Sequence, residues 1–325
     1  MRKIILVSIF FINAVFLQAA VFKASLKDFG IDPGGLKTSE LSSILILPAD
    51  NGRVYKVYIL LKPGSDSVFK IVEFLSEEIN DEILEGKIIY SKAYTWDRID
   101  YKKTKKKIIL STDDFSWEIS PDKHRFKITS DNISFKGFTE LVSPHYKIND
   151  KELAGLKPGI IIAEGFYALY SIKGSMKVYG KKKKINGYGS FKHLFTSENS
   201  LRECKKDFVP FFTDSVWGLI IKAGDLTTGF AYLVEEKKYL DPLRLELNDT
   251  QKEKKSGFPL GMSVKFVSRT GKVTLSCSSF GKTKNSVVMK IDGKFFYYSK
   301  GEEKALDLGY AWKETAVRKE DERVE

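Results

Sequence analysis

From Arg53 onward the chain is a succession of short segments in which apolar and polar residues alternate, each closed by turn-forming residues, and few folds accommodate that pattern. Arg53–Leu61 places Tyr55, Val57, Ile59 and Leu61 on one face. Gly86–Trp96, Lys107–Ser111, Asp114–Ile119, Arg125–Thr129, Ile133–Phe135 and Phe138–Val142 are all brief and rich in strand formers. Pro121-Asp122 and Ser130-Asp131-Asn132 separate them as turns. Ser67–Leu84 fits either a strand into Phe74 followed by one helical turn, or an amphipathic helix through Ile83. With few windows of helical period, the expectation is an all-β barrel or sandwich.

The longest such unit is Gly174–Phe195, which reads as a β-hairpin. Gly174 to Tyr179 alternates, Gly180 with the lysines that follow makes the turn, and Ile185 to Phe195 returns. Counting by twos puts Ile185, Gly187, Gly189, Phe191, His193 and Phe195 on one face, and Asn186, Tyr188, Ser190, Lys192 and Leu194 on the other. An imidazole beside aromatic rings and glycines has two readings: a core histidine satisfied by a neighbour, or the wall of a pocket.

Two carboxylates share faces with aromatic residues. Glu164, in GIIIAEGFYALY, alternates with Ile160, Ile162, Phe166 and Tyr170. Burial there would raise its pKa into the range of a general acid, whereas a bulge at Gly165 would leave it exposed. Glu314 alternates with Tyr310 and Trp312 and is either catalytic or paired across the closure of a barrel. Trp217, with Leu219 and Ile221, is either core or a pocket wall opposite His193.

The ends bound the setting. Arg2 and Lys3, the apolar run Ile4–Leu17 and Leu17-Gln18-Ala19-Ala20 have the layout of a secretory signal peptide over residues 1–20, although an uncleaved anchor has the same start. The expected location is therefore export, to the periplasm. The formal charge of +12 is concentrated in YKKTKKK (101–107), GKKKK (180–184) and QKEKK (251–255). Each lies between strand-like segments, as a solvated turn or as a contact with an anionic membrane surface. No nucleic-acid-binding signature accompanies the lysines, so nucleic acid is not an expected partner. Cys204 and Cys277 lack CxxC spacing, and the three histidines form no ligand-spaced pair, so neither a metal nor a cofactor is expected. A disulfide between the cysteines is neither required nor excluded. A nucleophile elbow, phosphate loop, zinc-protease motif and dinucleotide fingerprint are all missing.

Three segments together resemble the AttH/carotenoid 1,2-hydratase-like proteins, a family of two tandem lipocalin-like β-domains. Tyr167 and Tyr170 precede the Gly174 hairpin, which is similar to the family's G-x-(small)-x-V-x-G, and the return strand is similar to the family's G-x-x-W-x-D-H-x-W-G, with Gly187 and His193 in place. Lys192 stands where the family has aspartate, Ser190 and Phe195 replace tryptophans, and Thr196 replaces the final glycine. FFTDSVWGLIIKAGDLTTGFAYLV is similar to the family's tryptophan-bearing hairpin. LGYAWKETA resembles its closing strand, with Gly309 and Glu314 in register.

The resemblance implies two tandem lipocalin-like antiparallel β-barrels; Ser143–Gly159, with Pro144, Pro158 and mixed charges, places the boundary between 21–150 and 151–317, and a charged tail follows at 318–325. It favours the strand reading of Ser67–Leu84. It also implies a hydrophobic small-molecule partner, an isoprenoid or lipid, held in a barrel cavity, with His193, Glu164 and Glu314 as polar groups. Tyr170, Phe191, Phe195, Trp217, Tyr310 and Trp312 would form the walls. The alternative is a cofactor-free hydratase or cyclase using those polar groups as acid and base. A third reading is a scaffold whose barrel is filled by its own side chains. The Lys192 replacement speaks against the family's Asp-His acid, because a lysine cannot protonate an alkene. Alternation places Lys192 outside the barrel.

Overall fold

Alternation builds strands, and strand twist curls them. The computed structural model describes residues 21–29, 38–49, 52–62, 66–75, 83–149, 164–196, 206–223, 226–240, 242–254, 257–284 and 286–315. The expected leader, the tail 318–325 and Cys204 lie outside the described residues. The chain forms two curled antiparallel sheets, one of thirteen strands and one of ten, as two tandem lipocalin-like barrels require.

The first sheet runs Lys87–Tyr94, Ser67–Leu75, Arg53–Leu61, Thr38–Ala49, Lys181–Thr196, Glu164–Val178, Ile133–Leu141, Lys123–Thr129, Phe115–Ile119, Ile108–Ser111 and Asp100–Lys103, with His145–Asn149 also bonded to Glu164–Val178 and Val21–Phe22 bonded to His145–Asn149. Its two edges are consecutive in the chain, joined through the 3-10 turn Trp96–Arg98. So short a connection forces the edges together and rolls the sheet into a barrel. Side chains clasp the seam: Tyr90, Lys92 and Tyr94 on one edge all donate to the Asp114 carboxylate on the other side. Phe69 packs on Phe115 across the same gap, ring centroids 3.8 Å apart. Ser67–Leu75 is a strand, as the resemblance favoured.

The second sheet runs Lys238–Leu240, Leu226–Leu233, Val216–Ala223, Lys206–Phe212, Glu302–Thr315, Ser286–Tyr297, Gly271–Thr283, Pro259–Val267 and Arg244–Lys252. Its edges are likewise joined by a short link, residues 241–243. A short piece of the first half, Leu84–Glu85, pairs in parallel with Gly271–Thr283 of this second sheet. Ile83 is buried in the second barrel's core beside it.

The division between barrels differs from the expected 150/151 boundary. Glu164–Val178 and Lys181–Thr196 belong to the first sheet, bonded to Ile133–Leu141 on one side and Thr38–Ala49 on the other. Apart from Leu84–Glu85, the chain crosses to the second sheet only after Thr196. The sequence hid this because Ser143–Gly159 has linker composition, whereas the pairing that recruits the long hairpin to the first sheet is nonlocal.

The turn of that hairpin is also tighter than expected. Tyr179 and Gly180 both have positive φ, 49° and 82°, and make a two-residue turn whose twist matches the flanking strands. Lys181 to Lys184 are therefore strand, not turn.

Three apolar cores result. One fills the first barrel, one fills the second, and a third lies between them. The outer face of the hairpin supplies the third: Tyr188 stacks on Phe212 at 5.3 Å, and Tyr167 stacks on Phe208 at 5.7 Å.

Candidate functional site

All three histidines of the chain converge inside the first barrel. His124 comes from Lys123–Thr129, His145 from His145–Asn149 and His193 from Lys181–Thr196. On each strand alternation decides the direction: His124 shares its face with buried Phe126 and Ile128, and His193 with Phe191 and Ile185. The rings meet around aromatic neighbours. His124 lies 4.7 Å from Tyr170 and 4.9 Å from Phe191, and His193 lies 5.7 Å from Phe166, which is 5.3 Å from His145 (centroid distances). Trp117 closes the group 5.8 Å from His124.

A segment before the first long strand plugs this space. Phe29 is fully buried, its ring edge-on to His124, His145 and Phe166 and tilted against Phe191. Two histidines latch the segment in opposite tautomers. His193 Nδ1 lies 2.7 Å from the Asp28 carbonyl oxygen, which can only accept, so Nδ1 carries the proton. The Ala24 N–H donates to His145 Nδ1 at 3.3 Å, so that nitrogen is bare.

Burial governs the electrostatics. It lowers the His124 pKa to about 3, with His145 adding to the effect, and lowers His145 and His193 each to about 4. All three imidazoles are neutral at pH 7. Burial raises the Tyr170 phenol, which stays protonated. His124 Nε2, the Tyr170 hydroxyl and Trp117 Nε1 are buried without a hydrogen-bond partner among the described residues. A donor–acceptor set left unfilled in an apolar interior is rare in folded proteins. It can take up a polar group on an otherwise apolar molecule. No group of three or more His, Cys, Asp or Glu among the described residues is arranged to hold a metal ion.

The sequence-derived set divides between two places. His193, Tyr170 and Phe191 meet in the first barrel. Glu164 and Phe195 pair in register two residues beyond Phe166 and His193; their side chains lie outside the described residues. Trp217, Tyr310 and Trp312 lie instead in the core between the barrels, so Trp217 is not a wall opposite His193. Its indole donates to the Thr213 carbonyl at 2.8 Å, and Trp312 stacks on Phe212. Nor do the glycines leave space beside His193. A Cβ on Gly187 would stand 2.2 Å from the Ile46 carbonyl oxygen, and one on Gly189 would stand 2.7 Å from the Leu45 side chain.

Glu314 lies between the barrels as well, in a network of charges. Lys192 does leave the first barrel, but it enters this interface rather than solvent. It pairs with Glu40 at 3.2 Å and approaches Glu314 at 4.0 Å. Although burial opposes it, the two carboxylates hold the ammonium well above its ordinary pKa. Nearby, Lys56 donates to Ser286 Oγ at 2.5 Å, and burial lowers its pKa to about 8. This network is internally paired, whereas His124 Nε2, the Tyr170 hydroxyl and Trp117 Nε1 find no partner among the described residues.

His124, His145, Trp117 and Phe29 were not among the expected residues. His124 was legible from the alternation in KHRFKIT; His145 and Phe29 were not, because their strands are short or missing.

No protein-family model matches the chain, and no curated protein matches it by sequence. Solved structures do. A Nitrosomonas europaea protein described as AttH matches with a TM-score of 0.58 at 10% identity, over 90% of this chain and 96% of that one. CghA matches with a TM-score of 0.59 at 12% identity, over 91% and 93%. Kievitone hydratase from Nectria haematococca matches with a TM-score of 0.51 at 15% identity, over 91% and 96%. The fold of this chain is that of the AttH/carotenoid 1,2-hydratase-like proteins: two tandem lipocalin-like barrels.

Proposed function

We propose that the protein is a cofactor-free enzyme of the hydratase or cyclase type, acting on an apolar small molecule in the first barrel. The observation that carries this reading is the unfilled set of His124 Nε2, Tyr170 hydroxyl and Trp117 Nε1 in one apolar chamber. A pure carrier gains little from three such groups, since each lowers affinity unless the ligand satisfies it. The structural likeness to a kievitone hydratase agrees with the same class.

The chemistry follows from protonation states. Neutral imidazoles do not protonate an isolated alkene, and Lys192 is committed to Glu40 and Glu314. A double bond conjugated to a carbonyl is a better substrate. Tyr170 would donate to the carbonyl oxygen as charge develops there, and His124 would take a proton from attacking water as the carbon–oxygen bond forms. The imidazolium then returns that proton to the α-carbon, which restores the carbonyl and the enzyme together. Ring closure uses the same donors without water. Growing negative charge on the substrate raises the basicity of His124 when it is needed. Phe29 must withdraw for a substrate to enter and reoccupies the space once the product leaves. On the leader-like residues 1–20, the proposed place of work is outside the cytoplasm, in the periplasm.

The test is a screen of alkyl-bearing α,β-unsaturated ketones for gain of one water or for isomerisation, followed by mass spectrometry. His124→Phe and Tyr170→Phe preserve ring volume and should lower turnover by about 100-fold or more, with unfolding midpoints retained. Stoichiometric apolar ligand recovered unchanged, with no turnover across the screen, would overturn the enzyme reading in favour of a carrier.

A further inference from the structure

The outer face of the first barrel carries a basic patch whose strand register is unfavourable on its own terms. Arg125 and Lys127 lie on Lys123–Thr129, Lys136 on Ile133–Leu141, Lys173 and Lys177 on Glu164–Val178, and Lys182 and Lys184 on Lys181–Thr196; all are exposed. Lys127 is directly opposite Lys136, and Lys177 directly opposite Lys182. Like charges in direct cross-strand register destabilise a sheet. The acids nearby do not relieve them. Glu118 is taken by Lys107 at 2.8 Å, and Glu140 by Lys123 at 3.5 Å. None of the seven basic residues forms an ion pair among the described residues.

The same face has a groove of about 820 Å³ whose floor is the Gly137–Gly174 pair, where the missing side chains let the two strands approach. Arg125, Lys127 and Lys136 line it, and Phe138, opposite Arg125 in register, stands 43% exposed in it. Tyr179, 56% exposed, marks the end of the hairpin.

We infer that this face docks the protein on an anionic lipid surface. Six of the seven charges are lysines, which act as diffuse point charges towards headgroups rather than as bidentate readers of single phosphates. The two exposed aromatic rings are of the kind that settle at the boundary of a bilayer. This inference rests on charge, register and exposure on the outer face and is independent of what the first barrel binds inside.

The test is co-sedimentation of the full chain with phosphatidylglycerol–phosphatidylcholine vesicles and with phosphatidylcholine alone. The difference between the two removes any contribution of the apolar N-terminal residues. Anionic vesicles should bind more tightly at low salt, with the difference lost at high salt. Lys127→Gln/Lys136→Gln should weaken it by about 25-fold, from roughly 1 kcal/mol per lysine. Lys254→Gln/Arg269→Gln, exposed on the second barrel, makes the same change in net charge and should leave binding within two-fold or so. Equal losses in the two variants, or no preference for anionic vesicles, would overturn the inference. Binding of single-stranded DNA with no binding to vesicles would overturn it in favour of a nucleic-acid surface.

Discussion

Lys192 and Glu40 face each other at 3.2 Å between the two barrels, on neighbouring strands of the first sheet, with Glu314 of the second barrel 4.0 Å from the same ammonium. One lysine thus joins charges from both halves of the chain. Its cation is shared rather than matched once, which is why two carboxylates keep it charged despite burial.

Replacing Lys192 with methionine should therefore destabilise the protein through its glutamates. Both are mostly buried, and breaking such a group leaves uncompensated charge. The expected loss is about 2–3 kcal/mol, discounted for their partial exposure. Adding Glu40→Gln and Glu314→Gln should restore most of it. Urea titration of the three chains measures this, and equal midpoints for wild type and K192M would show that the pairing holds nothing together.

Acid should weaken the first barrel through its histidines. Each native imidazole titrates at about 3 or 4, against 6.5 for an ordinary histidine. Between those values the unfolded chain binds more protons than the native one. The stability due to these groups is then complete above pH 6.5 and falls as pH drops towards 4, by up to about 1.4 kcal/mol per pH unit for each. His124→Phe should reduce the slope by one proton. A denaturation midpoint that does not change between about pH 7 and pH 5 would show that the histidines are not buried neutral.

Phe29→Ala should open a cavity bounded by His124, His145, Phe166 and Phe191. The expected cost is about 3 kcal/mol, near the lower end for a buried phenylalanine whose segment retains its two histidine latches. The variant should also take up a small apolar probe such as benzene faster than the wild type does. Unchanged stability together with unchanged uptake would show that Phe29 does not plug the barrel.

Cys277 is a free thiol buried in the second core, and burial pushes its pKa up to about 12. It should not react with a disulfide reagent at neutral pH in the native protein and should react fully in denaturant. Fast reaction in the native state would place it at the surface.

Much of this architecture was local and so could be read in advance. A period of two in Arg53–Leu61, Lys123–Thr129 and the long hairpin specified both the strands and their faces, because successive strand residues must point to opposite sides. That rule alone placed His193, Phe191 and Tyr170 inside a barrel and Lys192 outside it. It could not say what lay against the outside. Whether Lys192 met water or Glu314, and whether Trp217 and Trp312 lined a pocket or an interface, depended on how the second barrel docks, a contact between strands of different sheets. The glycines show the same limit: Gly187 and Gly189 suggested space, but the neighbouring strand fills it, and which strand that is depends on pairing rather than composition.

The sequence by itself determined that the chain is all-β and which faces of its strands are apolar, since these follow from side-chain alternation and backbone sterics within a few residues. The tertiary structure alone decided that His124, His145 and His193 share one chamber, that Phe29 fills its centre and that Lys127 faces Lys136 on the outside. Each of those juxtapositions depends on strand register and barrel closure, and these are set by the summed packing of the whole sheet rather than by any segment within it.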